Sequence, residues 1–428
     1  GDEVRLEIAH NCPEEMVNFL RDQCAMHQDN VYLVNGPVNL SRLQALHSMV
    51  ERSDLKFKPF TQGRPNGLTS EVEIFGLLKQ KDVLLHHPYQ SFTPVIDLIK
   101  QAASDSSVLA IKQTLYRTGA VSPIVDALVA AAHGGKEVTV VIELRARFDE
   151  EANVALASKL QQAGAHVVYG IVGYKTHAKM LLILRRENNK LRRYVHLGTG
   201  NYHRSTSRIY TDYGLLTSDK QIGEDVNNLF IQLTSLGKIP KMHKLMHAPF
   251  NLHQGLLDKI DREIAHAEAG KNARIIVKVN ALVEPEMINA FYRASIAGVK
   301  VDLIVRGICT LKPGVPGVSD NIQVRGIIGR FLEHTRVFYF ENDGQVEIWA
   351  GSADLMKRNL LRRVETCFPI ESKRLQKRII ADLNLYLADN TQAWILSADG
   401  RYQRAARNEG DEMISAQNTL LEELAKVN

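Results

Sequence analysis

Gly134-Gly135-Lys136-Glu137-Val138-Thr139-Val140-Val141-Ile142 and Gly298-Val299-Lys300-Val301-Asp302-Leu303-Ile304-Val305 decide the fold of this 428-residue chain. Each couples a glycine to an apolar, β-branched run of the kind that forms a buried strand. Each follows a segment with helical periodicity: Ser122-Pro123 opens one that runs to Ala132, and Glu284 opens one that runs to Ala297. Glycine just past a helix accepts the left-handed backbone that ends it. Upstream, residues 108–111 and 273–277 read as the strands before these helices. Downstream of the first copy, residues 153–163 read as helix and 166–169 as a third strand. Helix, glycine and strand recurring in one order imply an internal duplication: two similar α/β domains with mostly parallel sheets and helices packed on them. The alignment sets residues 141–145 against 302–306, so that Arg145 and Arg306 end equivalent strands. Such sheets carry ligands at the carboxyl ends of their strands.

The domains are expected at 63–244 and 245–428. Residues 1–62 hold a helix opened by Pro13, a short strand at 31–34 and a helix from Leu40 to Met49, too little for a domain of their own. The chain starts without Met and is expected to be a piece of a longer protein. Its 45% apolar and 24% charged composition excludes a mainly disordered chain. No run of about 18 apolar residues suggests a membrane-spanning helix. Cys12, Cys24, Cys309 and Cys367 form no CxxC pair, which fits reduced thiols better than a zinc ribbon or a disulfide framework. The net charge of +5 is mild but clustered, with basic blocks between Arg185 and Arg208 and between Arg330 and Arg363. Matching blocks around matching motifs point to a polyanionic ligand.

The chemistry lies in those motifs. The first copy has Lys175-Thr176-His177-Ala178-Lys179 before an apolar strand, then Gly198-Thr199-Gly200-Asn201 after the next one. On a strand, His177 and Lys179 share a face, setting an imidazole beside an ammonium that can grip phosphate. The turn adds a hydroxyl, an amide and close backbone approach to the same oxyanion. The second copy has Glu333-His334-Thr335-Arg336, then Gly351-Ser352-Ala353-Asp354. Either motif alone reads most simply as a histidine satisfied within a strand; two copies in one duplicated frame point to a joint site. His86, His87, His196 and His203 lack duplicated counterparts and read as structural. A neutral imidazole is nucleophilic near pH 7. Its N–P bond is a high-energy phosphoramidate, so phosphoryl transfer through it can be nearly thermoneutral.

The paired modules resemble the phospholipase D superfamily, in which two such modules build one site between two domains. That superfamily's aspartate five residues after the Lys is not kept: Leu184 and Glu341 stand there. Longer strings, residues 112–119, 143–150, 173–179 and 196–202, resemble the polyphosphate kinases that work through a phosphohistidine, and the similarity runs over essentially the whole chain. The resemblance implies reversible transfer of the terminal phosphate of ATP to inorganic polyphosphate. It implies His177 as the phosphorylated nucleophile and His334 as a second catalytic histidine, with Lys179 and Arg336 offsetting charge. Tyr210, Arg306, His334 and Asn201 would meet the nucleotide, ATP or ADP. Arg117 and Arg147 match positions at a Mg²⁺ site. Because arginine does not ligate Mg²⁺, they are read as contacts to the phosphate carrying the metal, with Asp149 or Glu150 as candidate ligands. Residues 1–62 would be the remnant of a helical head domain. The full-length protein would be a cytoplasmic homo-oligomer with no nucleic-acid partner, its basic patches compatible with peripheral contact at the inner face of the membrane. The piece itself is expected to be weakly active or inactive. The alternatives are a phospholipase D-like phosphodiesterase or nuclease, which would release its intermediate to water, and a non-enzymatic polyanion-binding fragment.

Overall fold

The computed structural model describes residues 5–65, 67–69, 71–116, 122–143, 150–170, 173–235 and 241–426. They form two compact units, 1–59 and 60–428. In the first, the strands Leu6–Ala9 and Val31–Val34 pair in parallel beside the helix Glu14–Gln23, which buries none of its residues. The stretch read as a second helix starts as a 3-10 turn at Leu40–Leu43 and becomes α-helical at Gln44–Met49.

The second unit is built on two mixed sheets, of eight and ten strands. In the first, Val108–Leu115, Glu137–Ile142 and His166–Val168 run parallel, joined by the helices Pro123–His133 and Glu150–Gln162. In the second, Arg274–Val279, Lys300–Val305 and Ile322–Ile327 do the same, with Pro285–Ile296 crossing between the first two. Proline stands in the first turn of both equivalent helices, and Gly135 and Gly298, at φ +77° and +93°, follow their ends.

Apart from one short strand that each sheet takes from the other half, the rest of each sheet is antiparallel, which corrects the expectation of mostly parallel sheets. Lys179–Glu187 and Lys190–Gly198 form a hairpin across Asn188-Asn189, both with positive φ. A two-residue loop of that geometry can only return the chain antiparallel. Val337–Phe340 and Glu347–Gly351 repeat the hairpin. Matched registers make Lys179 equivalent to Arg336, Gly198 to Gly351 and Asp212 to Glu365. They also make Glu143, not Arg145, the counterpart of Arg306; Arg145 lies outside the described residues.

The halves are joined by exchanged strands. Lys175–Thr176 of the first half pairs in parallel with Arg363-Val364 of the second sheet, and Leu332–Glu333 of the second half pairs with Tyr210-Thr211 of the first. A single apolar cluster fills the seam, with Val226, Leu229 and Phe230 of the helix Lys220–Thr234 and Ile379, Leu383 and Tyr386 of the helix Lys373–Ala388. Each such side chain contributes about 1.5–3 kcal/mol when fully buried, so the seam is a core and not a loose domain contact.

Candidate active site

Strand exchange sets the site. Each exchanged segment ends at a histidine. The His177 and Ala178 N–H groups both donate to the Val364 carbonyl at 2.9 Å, and the His334 N–H donates to Thr211 Oγ1 at 3.1 Å. The residue after each partner is acidic. His177 Nδ1 therefore meets Glu365 Oε2 at 2.8 Å, and His334 Nδ1 meets Asp212 at 2.9 Å and 3.0 Å. Each imidazole takes its carboxylate from the opposite half. An ionised carboxylate only accepts, so the proton sits on Nδ1 in both rings and Nε2 keeps its lone pair.

Hydroxyls hold the carboxylates in turn. Thr199 Oγ1 donates to Asp212 at 2.6 Å, and its counterpart Ser352 Oγ donates to Glu365. Asn359 Nδ2 donates to the other Glu365 oxygen at 2.7 Å. Both glycine turns bring these hydroxyls close: a Cβ on Gly200 would stand 2.0 Å from Asp212 Oδ2, and one on Gly351 would stand 2.6 Å from the Thr366 carbonyl.

Cations crowd the pair. The Lys179 ammonium is 2% exposed, donates to the His177 carbonyl and lies 5.8 Å from the Tyr116 ring centroid. Tyr116 meets the His177 ring edge to face at 5.6 Å. Arg336 donates to Asp354 through Nε at 3.3 Å and Nη2 at 2.9 Å. Its Nη1 donates to the carbonyls of His334 and Thr199 and lies 3.1 Å from His334 Nε2. Arg306 Nε donates to Asn280 Oδ1 at 3.0 Å, and the Tyr210 ring packs 5.2 Å from that of His334.

Burial and the neighbouring cations set the charges. Burial, with Lys179 and Arg336 adding to it against Glu365, takes His177 down to about 3, so its imidazole is neutral. Burial, opposed by Glu365 and reinforced by Arg336, takes Lys179 to about 7. His334 is lowered by burial and by Arg336. Burial alone would raise Glu365 and Asp212, but the facing histidine, the nearby cation (Lys179 or Arg336) and the hydroxyl donor (Ser352 or Thr199) together outweigh it, and both stay ionised. The site thus holds two neutral imidazoles, fixed by carboxylates, against cations able to receive phosphate oxygens.

The structure brings His177, Lys179, His334, Arg336, Arg306 and Tyr210 into this one network. Asn201 is half-buried, with its Oδ1 enclosed and without a hydrogen-bond partner among the described residues. Arg117, Arg147 and Asp149 lie outside the described residues, as does the side chain of Glu150. Glu341 accepts a hydrogen bond from Tyr339 at the far end of its strand, away from His334. Much of the first basic block is also elsewhere: Arg185 pairs with Asp105 and Glu187 at the hairpin tip. His196 is buried with Nδ1 on Tyr202 Oη at 2.8 Å, a structural histidine. Sequence reading missed Asp212 and Glu365, although each stands eleven residues after the polar end of its glycine turn, Asn201 or Asp354.

Two histidine-bearing α/β halves share one site between them, which makes this a duplicated α/β protein with a joint histidine site. Family models described as Polyphosphate kinase C-terminal domain 1 and Polyphosphate kinase C-terminal domain 2 match residues 73–239 and 245–417. The chain belongs to the polyphosphate kinase family. It is 57% identical over 425 residues to a polyphosphate kinase of Pseudomonas aeruginosa, covering 99% of this chain and 62% of that protein. The crystal structure of polyphosphate kinase from Porphyromonas gingivalis superposes with a TM-score of 0.86 at 32% identity, over 98% of this chain and 64% of that one. Phosphatidylserine synthase of Haemophilus influenzae, at 10% identity and a TM-score of 0.51 over 80% of this chain and 92% of that one, shares the fold. The chain spans about three fifths of the length of the curated relatives it matches. Among the described residues, no helix is long and apolar enough to cross a membrane.

Proposed function

We propose that this chain carries the catalytic half of a polyphosphate kinase, with residues 63–244 and 245–428 as its two catalytic domains. It moves the terminal phosphoryl group of ATP onto inorganic polyphosphate, reversibly, through a phosphohistidine at His177. The observation that carries this reading is the His177 environment: a neutral imidazole, its proton held on Nδ1 by Glu365, beside a buried ammonium to which, among the described residues, no carboxylate is hydrogen-bonded.

Nε2 attacks the γ-phosphorus while the bond to the β–γ bridging oxygen breaks, and ADP leaves with that oxygen. The ring, now substituted on Nε2 and protonated on Nδ1, carries a positive charge that Glu365 offsets. Lys179 and Arg336 take the charge spread over the transferring oxygens, where positioning and electrostatics dominate. Attack on phosphorus by a terminal polyphosphate oxygen returns the imidazole to its neutral state. His334, Tyr210 and Arg306 line the nucleotide side. Among the described residues, no three His, Cys, Asp or Glu side chains converge to hold a metal. Arginines at the metal positions would grip phosphate and not ligate Mg²⁺, so Mg²⁺ would come to the site on the nucleotide's phosphates and offset their charge, with Asp149 and Glu150 as candidate ligands outside the described residues.

The test is incubation with γ-labelled ATP. Acid-labile, base-stable label should appear on the parent, vanish in His177→Ala and pass to added polyphosphate. Label that survives His177→Ala, or that leaves only as free phosphate when polyphosphate is present, overturns the proposal.

A further inference from the structure

The two half-sites match in their histidines, hydroxyls and histidine-bound carboxylates, and differ in charge at the counterparts Glu143 and Arg306 and at the end of the glycine turn. Lys179 and Arg336 are equivalent, as are Thr199 and Ser352, and Asp212 and Glu365. By the same register the end of the turn is Asn201 in the first half and Asp354 in the second. That difference decides what each cation can do. Asp354 receives two donors from Arg336, at 3.3 Å and 2.9 Å, and is held by the Asn280 N–H at 2.8 Å. Arg336 is thereby fixed and its charge partly offset, with Nη1 at 3.1 Å from His334 Nε2, the lone pair a phosphorus atom would need. In the first half, an amide stands where the carboxylate would be. Among the described residues, Lys179 donates to a carbonyl only, and the enclosed Asn201 Oδ1 has no partner. An incoming phosphoryl group thus meets at His177 a cation that has no carboxylate hydrogen-bonded to it among the described residues, and at His334 a cation tied to a carboxylate that repels the group.

We propose that Asp354 is a positioning residue that makes the two near-equivalent histidines inequivalent: by clamping Arg336 against His334 it confines covalent phosphoryl capture to His177. This deepens the phosphohistidine reading and rests on it. Asp354 touches neither donor nor acceptor and acts through Arg336. The amide at Asn201 is the matching half of the device, leaving Lys179 open to phosphate oxygens.

The test exchanges the two. Phosphoramidate, a small phosphoryl donor that needs no nucleotide site, is incubated with the parent, Asp354→Asn and Asn201→Asp, and the label on each histidine is mapped by peptide mass spectrometry. Capture at either ring forms an N–P bond as the donor's own N–P bond breaks and ammonia leaves. Expected are label on His177 in the parent and a His334-to-His177 ratio raised by about tenfold or more in Asp354→Asn, the size of one charge-assisted hydrogen bond. Asn201→Asp, a near-isosteric change at an atom without a partner, should suppress His177 label on a chain that stays folded. A second arm titrates orthophosphate against the imidazole NMR signals: His177 should respond in the parent and His334 as well in Asp354→Asn. An unchanged label ratio together with an unchanged phosphate response overturns this inference, whatever the first test gives. A parent that takes no label from ATP or phosphoramidate removes the phosphohistidine reading, and the NMR arm still decides whether Asp354 directs the anion.

Discussion

Glu365→Gln is the perturbation from which the site's electrostatics can be read. Glu365 is fully buried and accepts from His177 Nδ1, Ser352 Oγ and Asn359 Nδ2. An amide of the same shape can keep one oxygen facing His177 and Ser352. Its NH₂ would then face Asn359, whose own Oδ1 is buried without a partner. Rotation of the Asn359 amide would turn that oxygen toward the new donor, so the fold should survive. What is lost is charge. On the proposed route the phosphorylated ring is a cation, and Glu365 stands 2.8 Å from Nδ1 of the unmodified ring. With charge centres ~4 Å apart and an effective dielectric of ~20, the attraction is about 4 kcal/mol. Counting half to all of that in the transition state slows capture by roughly 30- to 1,000-fold. The assay is single-turnover labelling of His177, run with γ-labelled ATP and separately with phosphoramidate. Both rates should fall together, because the charge forms whichever donor is used. A folded variant that labels within about threefold of the parent would refute the reasoning, since a merely orienting hydrogen bond is retained by the amide.

Further outcomes follow from the same geometry. Because His177 sits at about 3 and Lys179 at about 7, the labelling rate should show no loss near pH 6.5; it should fall as pH rises through about 7, and this limb should disappear in Lys179→Arg. Gly200→Ala would put a Cβ 2.0 Å from Asp212 Oδ2; displacing that carboxylate should shift the His334 imidazole NMR signals and reduce turnover by about tenfold or more. Lys278 and Glu333 form a buried ion pair at 2.8 Å just before His334. Lys278→Met should lower unfolding free energy by about 3–5 kcal/mol in urea titrations, and adding Glu333→Gln should recover most of it.

The duplication, the strand and helix identities and the histidine–cation pairs were legible because each rests on local signals: periodicity, helix-ending glycines and two-residue spacing on a strand. The carboxylates were not. Asp212 and Glu365 sit on strands whose own halves do not contain the histidines they serve, and no local pattern states that Lys175–Thr176 will pair with Arg363-Val364. The antiparallel return at Asn188-Asn189 was missed for a different reason. Apolar runs on either side of it look alike whether the connection is a crossover or a two-residue turn, and only the positive φ of both asparagines separates them. Charge blocks misled in part, because Arg185 is spent on Asp105 and Glu187 at a hairpin tip while the buried cations Lys179 and Arg336 stand singly.

The exchange of carboxylates also explains why the duplication stayed joined. If the halves were parted, His177 would keep Lys179 but lose Glu365, and His334 would keep Arg336 and Asp354 but lose Asp212. Each Nδ1 would then be free to give up its proton to the other nitrogen, and the ring would no longer be committed to a nucleophilic Nε2. Asp212 would in turn be left with the Thr199 hydroxyl, and Glu365 with Ser352 and Asn359, in an opened apolar seam. Folding and chemistry therefore share one dependence. The contact that closes the seam is the contact that fixes the tautomer, so a chain whose halves are misdocked carries histidines that are not set for phosphoryl capture.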